Sequence, residues 1–391
     1  MHILIIFTYV NVVIKVQRVY AMRVEKIISE LIYIYNTYSS SEKLFELRKK
    51  IYLYRQFPYK IQVIAEKLYV PWAIAISEDG SLYFTERSGA IRKIKNEKLL
   101  PDPLYLFGTP FVSQGEGGLM GIALDPNFSQ NHFVYVMHSF AENHKTYNRI
   151  ARLIENNDRL LMDKILIDKI PGGQIHNGGR IKIGVDNKLY ITTGDSGNPS
   201  LAQDPLSTAG KILRINLDGS IPKDNPFPNS PIYSLGHRNP EGLAWNAENV
   251  LYESEHGSIA HDEINIIEPG KNYGWPIVEG NEETATNIIQ KPLIQSGNET
   301  WAPSGITFIS QGPWKNKLLM ANLRGQQLIL ITLDEKGVAV TMVESLLKGE
   351  YGRLREVIEG KDGSIFLTTS NMDGRGNPNI NDDKIIQLTL Q

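Results

Sequence analysis

The sequence contains no cysteine, which removes disulfides, thiolate zinc sites and thiol nucleophiles together. That absence leaves the redox compartment open, because a thiol-free chain suits either side of a membrane. There is no excess of positive charge: 41 Lys and Arg stand against 43 Asp and Glu, a net charge of −2, which offers nucleic acid no electrostatic footprint. No phosphate-binding glycine loop, HExxH helix or nucleophile elbow occurs.

The first 57 residues lack glycine and proline altogether. Their apolar opening, MHILIIFTYVNVVI, is shorter than the roughly 20 residues that a spanning helix needs. It has the apolarity of a signal peptide, but no basic residue precedes it and VYAM is a poor cleavage site. Behind it Val24, Ile27, Ile28, Leu31 and Ile32 share a helical face, and Ser39 with Glu42 offers a capping box. Residues 1–57 are therefore read as an extension that is signal-like, anchor-like or helical, or as the product of a mis-assigned start. Membrane contact is expected, if anywhere, through this extension.

The remainder is long enough for one large domain or two ordinary ones, with 391 residues in all and 41% hydrophobic residues. From residue 58 the pattern changes to short alternating strands separated by Gly, Asp and Asn turns, with hardly any helical periodicity. Six stretches begin alike: PWAIAISEDGSLYFTE, GLMGIALDPNFSQNHFVYVMH, GGRIKIGVDNKLYITTGD, PEGLAWNAENVLYESEHG, APSGITFISQGPWKNKLLMANL and RLREVIEGKDGSIFLTTSN. Each has a strand, a turn and a second strand, and a third strand usually follows, as in GKILRINL and DEINIIE. Such a repeat predicts an all-β, six-bladed β-propeller of four-stranded antiparallel sheets over residues 58–391, since a sandwich predicts no common unit.

In that architecture the inner strand of each blade lines a channel and the loops gather at its two ends. The stretch GGQIHNGGRIKIG then brings His176 to one mouth, and Glu116, Arg238, His256 and Arg355 flank corresponding strands in other blades.

The motifs GEGGLMGIALDPNF, HNGGRIKIG, GKILRINLDGSIPKDNPF, LGHRNPEGLAW, SEHGSIAHDEINII, PGKNYGWP and GRLREVIEG, in this order, resemble the soluble aldose sugar dehydrogenases of the glucose/sorbosone dehydrogenase family, which depend on pyrroloquinoline quinone (PQQ). The resemblance covers residues 60–391. It implies PQQ and calcium at one channel mouth, an aldose oxidised at the anomeric carbon to a lactone, and an external electron acceptor. It also favours an extracytoplasmic or secreted location.

The site residues follow from the matched motifs. His176 matches the base, and imidazole suits proton removal near neutral pH. Asp195 in TTGDSGN matches the carboxylate that orients it. PQQ carries three carboxylates and an o-quinone, so cations are expected around it. Arg238 matches the arginine beside the quinone oxygen, and Asn239, Arg353 and Arg355 match cofactor contacts, the last two expected on one face of a strand. Glu116 and Arg324 stand where the soluble glucose dehydrogenases have glutamine and lysine. Gly257 and Ser258 match the loop whose carbonyls hold calcium, although proline is common at the second position and its replacement is expected to loosen the loop. Ile175 replaces an aspartate beside the base, so no sugar preference carries over. Trp301 is expected either to stack on sugar or cofactor or to belong to the core. Asp262 and Glu263 are either metal ligands or turn pins. A propeller of the same sequence family that binds without redox chemistry is the rival reading; joint presence of base and cofactor clamp argues against it.

Overall fold

A computed structural model of the chain describes residues 57–282 and 289–391. The extension expected over residues 1–57 lies, but for its last residue, outside these, and no helix of the described residues is long and apolar enough to cross a membrane.

The described residues form six antiparallel sheets. We number the blades by their first strands: Pro71–Ile76, Leu119–Leu124, Ile181–Ile183, Pro240–Trp245, Pro303–Phe308 and Leu354–Glu359. These strands, with Lys188–Thr193 assisting in blade 3, meet those of the next blade all the way round, and blade 6 returns to blade 1. The expected six-bladed propeller is therefore the observed fold.

Two details differ from a uniform set of four-stranded blades. In blade 1 an extra short strand, Tyr105–Leu106, pairs with Ala90–Lys95, alongside Lys98–Leu99. In blade 6 the outer strand is Tyr59–Ala65, which pairs with Ile385–Leu390 and so joins the two ends of the ring. That closure ties the first and last described strands into one sheet, so the ring is held shut by backbone hydrogen bonds, while each blade keeps a short outer edge.

Close packing at the axis explains part of the sequence repeat. Gly121, Gly242 and Gly305 each occupy the third position of an inner strand, in LMG, PEG and PSG. A Cβ there would run into the Gly179 carbonyl, the Ser304 carbonyl and the Glu356 carboxylate of the next blade. Between the blades lie apolar clusters such as Trp72, Leu119, Met120, Val136 and Ile181, all at most 1% exposed. Burying each side chain of this size contributes about 1.5–3 kcal/mol before the entropy of ordering it.

The inner strands are irregular where they start. In five blades the pairing register slips within the first few residues, between Pro71 and Ile74, Leu119 and Ile122, Pro240 and Gly242, Pro303 and Ile306, and Leu354 and Val357. Bulges re-aim side chains. Because strands alternate in direction, the segment before each inner strand and the turn after each second strand share one end of the ring. This end, called the mouth below, is where those bulges sit.

Candidate active site

His176 sits in the segment before the blade 3 inner strand with a left-handed φ of 54°. Several groups hold it there: its N–H donates to Glu116 Oε2 at 2.8 Å, and its carbonyl accepts from Ser196 N at 3.1 Å. Gly194 packs against that carbonyl so closely that a Cβ would collide with it. The imidazole side chain keeps 13% exposure, enough to leave an edge accessible.

Its Nδ1 lies 2.7 Å from Asp195 Oδ1. Asp195 is fully buried, and burial alone would raise its pKa, but hydrogen bonds from His176, Gly197 N and the Trp275 indole hold it below the usual carboxylate range. An ionised carboxylate only accepts, so Nδ1 carries the hydrogen, and the neutral form of the ring has its lone pair on Nε2.

Arg238 comes from the loop before the blade 4 inner strand. Glu255, at the end of the second strand of that blade, accepts its backbone N–H, and its Nη1 reaches the His256 carbonyl at 3.4 Å. Its Nε is buried without a hydrogen-bond partner. Glu255 is in turn held by His237 Nδ1 at 2.8 Å, and His237 Nε2 by Ser234 Oγ at 2.8 Å.

Opposite stands a cluster of guanidinium groups. Arg353 Nε donates to Asp373 Oδ2 at 2.8 Å, and Arg355 Nη2 lies 3.7 Å from the same oxygen. Arg353 precedes the strand, which begins at Leu354, so the two arginines do not share a regular strand face as expected; the bulge and Asp373 bring them together. Arg87 joins them through Nη2 to the Asp373 carbonyl at 3.2 Å, and its Nε is also buried without a partner. Burial, and then the neighbouring Arg355, push the Arg87 pKa down; burial does the same to Arg353, with Asp373 opposing and Arg355 adding to it. Three buried guanidinium groups thus gather around Asp373, a concentration of positive charge of the kind that favours an anion.

The remaining expected residues are placed as follows. Glu116 has both oxygens committed, one to His176 N and the other to Arg375 Nη2 at 2.8 Å. Asn239 accepts from Gly178 N at 3.0 Å and donates to Glu241 at 3.3 Å, which locks the loop behind His176. Arg324 is exposed on the mouth-side turn of blade 5. Trp301 lies in the apolar cluster with Ala244, Tyr252 and Ile306, and its placement supports the core alternative. Asp262 pins turns, accepting from Gly257 N at 3.0 Å, Trp301 N at 2.6 Å and Ala302 N at 2.8 Å. Glu263 accepts from Gly280 N at 2.9 Å and Asn265 Nδ2 at 3.1 Å, and burial followed by Glu255 pushes it up to about 8.

The Gly257–Ser258 loop is tethered where looseness was expected. Glu279 accepts from Ser258 N and, at 2.8 Å, from Ser258 Oγ. Proline at this position has no N–H and no hydroxyl, so the tether depends on the serine.

Trp275, Arg87, Asp373 and Glu255 were not singled out from sequence. A signal existed for two of them: Arg87 and Asp373 follow the second strand of their blades, as Asp195, Gly257 and Arg324 do. No such rule reaches Trp275, which belongs to the long excursion between Glu263–Ile267 and Ile294–Gln295.

The family model described as Glucose / Sorbosone dehydrogenase matches residues 68–381. Quinoprotein glucose dehydrogenase B of Acinetobacter calcoaceticus is 34% identical over 308 residues, 67% of this chain and 63% of that protein. Aldose sugar dehydrogenase YliI of Escherichia coli is 31% identical over 340 residues, 80% of this chain and 91% of that protein. Among solved structures, the PQQ-bound form of aldose sugar dehydrogenase from Streptomyces coelicolor is 38% identical with a TM-score of 0.77, covering 85% of this chain and 98% of that one.

Proposed function

The chain belongs to the glucose/sorbosone dehydrogenase family, and from that premise we propose that it is a PQQ-dependent aldose sugar dehydrogenase that oxidises the anomeric C–OH of its substrate to the lactone. The observation that carries this reading is the pairing, at one mouth, of an imidazole with a free Nε2 and a buried guanidinium cluster short of anionic partners.

The residues present fit the cofactor. Arg87 and Arg238 each bury an Nε that lacks a partner, and Arg353 and Arg355 share a single carboxylate. Arg87, Arg353 and Arg355 would hold carboxylates of PQQ, and Arg238 its quinone oxygens. The carbonyls of Gly257 and Ser258 are hard oxygen donors suited to calcium. Bound PQQ supplies the two-electron acceptor, which an external acceptor later reoxidises.

The chain's own part is proton handling and positioning. Nε2 of His176 takes the proton of the anomeric hydroxyl as hydride leaves carbon. Asp195 fixes the ring tautomer and balances the imidazolium that forms. Glu116 and Gly194 hold the base in its left-handed conformation, so the ring does not have to be reoriented for each turnover.

The test is dye reduction by purified protein supplied with PQQ, calcium and a panel of aldoses. Turnover that requires PQQ, and that His176→Gln abolishes while PQQ still binds, supports the proposal. Turnover that persists in His176→Gln refutes the assigned base, and its absence with every aldose refutes the activity.

A further inference from the structure

Trp275 touches both halves of the site. Its indole Nε1 donates to Asp195 Oδ2 at 2.9 Å, and the Arg238 guanidinium carbon lies 5.4 Å from its ring centroid. The first contact falls on the carboxylate behind the base. The second falls on the cation expected to meet the quinone, within the range of an attractive cation–π contact. The backbone is fixed as well: Trp275 N donates to Gly236 O at 2.9 Å, and its carbonyl accepts from Gln203 Nε2 at 2.6 Å. Gly236 is needed for this approach, since it has a φ of 80° and a Cβ would run into Asn272.

We propose that Trp275 is a positioning residue that couples the His176–Asp195 pair to Arg238, setting the charge that Asp195 presents to the base and the orientation of the guanidinium through one side chain. The inference rests on the functional reading above and concerns the same site.

The physical reason lies in how the carboxylate is shared. Oδ1 serves His176 and Gly197, and the indole is the donor on Oδ2. Withdrawing that donor leaves the Asp195 carboxylate less stabilised and so more strongly attractive to the His176 ring, which favours the imidazolium. The other charged groups around the imidazole are Glu116 at its backbone, Arg375 on Glu116, and Arg238 beyond the indole. None of these donates to Asp195 Oδ2. Arg238, whose Nε lacks a partner and whose Nη1 makes only a 3.4 Å contact, would face a smaller ring with a weaker cation–π attraction once the indole is replaced by phenylalanine.

Two nuclear magnetic resonance measurements on the protein without PQQ or sugar test this. In the wild type, the Trp275 indole N–H resonance should titrate with the His176 ring, identified by its loss in His176→Gln. In Trp275→Phe, the His176 titration should move up by about half a pH unit, which is a redistribution of charge rather than of fold. With PQQ and calcium added, kcat of Trp275→Phe should fall roughly tenfold with KM for the aldose little changed. An indole resonance indifferent to His176 overturns the proposal even if the phenylalanine variant does not fold. So does a fall in kcat with an unmoved His176 titration, which marks a merely structural role. Because the resonance arm needs no turnover, an inactive wild type would refute the functional reading and leave this inference still decided.

Discussion

At the end of the ring far from the mouth, most turns between first and second strands are held by side chains two residues away; at the mouth, the loops are held in addition by partners tens to hundreds of residues away. Asp79, Asp125, Asp186, Asn246 and Asp362 each accept a hydrogen bond from the N–H two positions on, at 2.9–3.1 Å, in five of the six blades. The mouth has such closures too, Gly197 N on Asp195 and Arg375 N on Asp373, but the same carboxylate-bearing loops are also tied over long distances: His176 meets Asp195 across 19 positions, Trp275 meets Asp195 across 80, and Arg87 meets the Asp373 carbonyl across 286. In those five blades the far end is thus a set of turns that each blade can close by itself, whereas the blade 5 turn leans on Glu359 and Lys361 of blade 6. The mouth exists only once the ring has closed, and its buried charges are tolerated because other blades supply their partners.

Substitutions should separate the two ends. The largest effect is expected from His176→Gln, which should reduce PQQ-dependent dye reduction by roughly 10³-fold and leave the thermal midpoint nearly unchanged. Equal loss of stability would blur the distinction between chemistry and scaffold.

Asp373→Asn should cost about 3 kcal/mol in denaturant unfolding and weaken PQQ binding, because it leaves neighbouring buried guanidinium groups without their shared carboxylate. A variant as stable as the wild type would show that the cluster is not strained by its own charge.

Asp195→Asn should lower kcat by about 10²-fold, since an amide does not fix the tautomer. It has a second signature in acid. The folded-state pKa of Asp195 lies below its unfolded value, so its ionised form adds stability above about pH 4, lost as pH falls through the folded value. Acid unfolding of the asparagine variant should therefore lack that contribution, and an unchanged acid profile would argue against it.

The smallest effect belongs to the far end. Asp362→Ala removes the acceptor for Ser364 N and Oγ, and should cost about 1 kcal/mol with kcat unchanged. A fall in kcat would mean that the two ends are not independent.

The same contrast accounts for what could be read before the structure. The blade repeat was legible because its causes are local: alternating strands and turns carrying Asp, Asn or Gly, such as SEDGS and KDGS. His176 stood out through its glycine-rich setting, and Arg238 through its motif. The closing strand Tyr59–Ala65 was not assigned a partner, since nothing near it in sequence specifies the pairing with Ile385–Leu390. Trp275 and Asp373 were missed for a related reason: a tryptophan in YGWP and an aspartate in NMDGRG carry no local mark of the carboxylate or guanidinium groups they meet. Trp301, by contrast, attracted attention by its type and lies in the core.

The central claim is that loops from separate blades form one cofactor-binding mouth, and a crystal structure of the chain with PQQ and calcium tests it most directly. The account predicts PQQ at the mouth, its carboxylates against Arg353 and Arg355, its quinone beside Arg238, and His176 Nε2 facing the space left for the sugar. PQQ bound elsewhere, or excluded from the protein at saturating concentration, would contradict it.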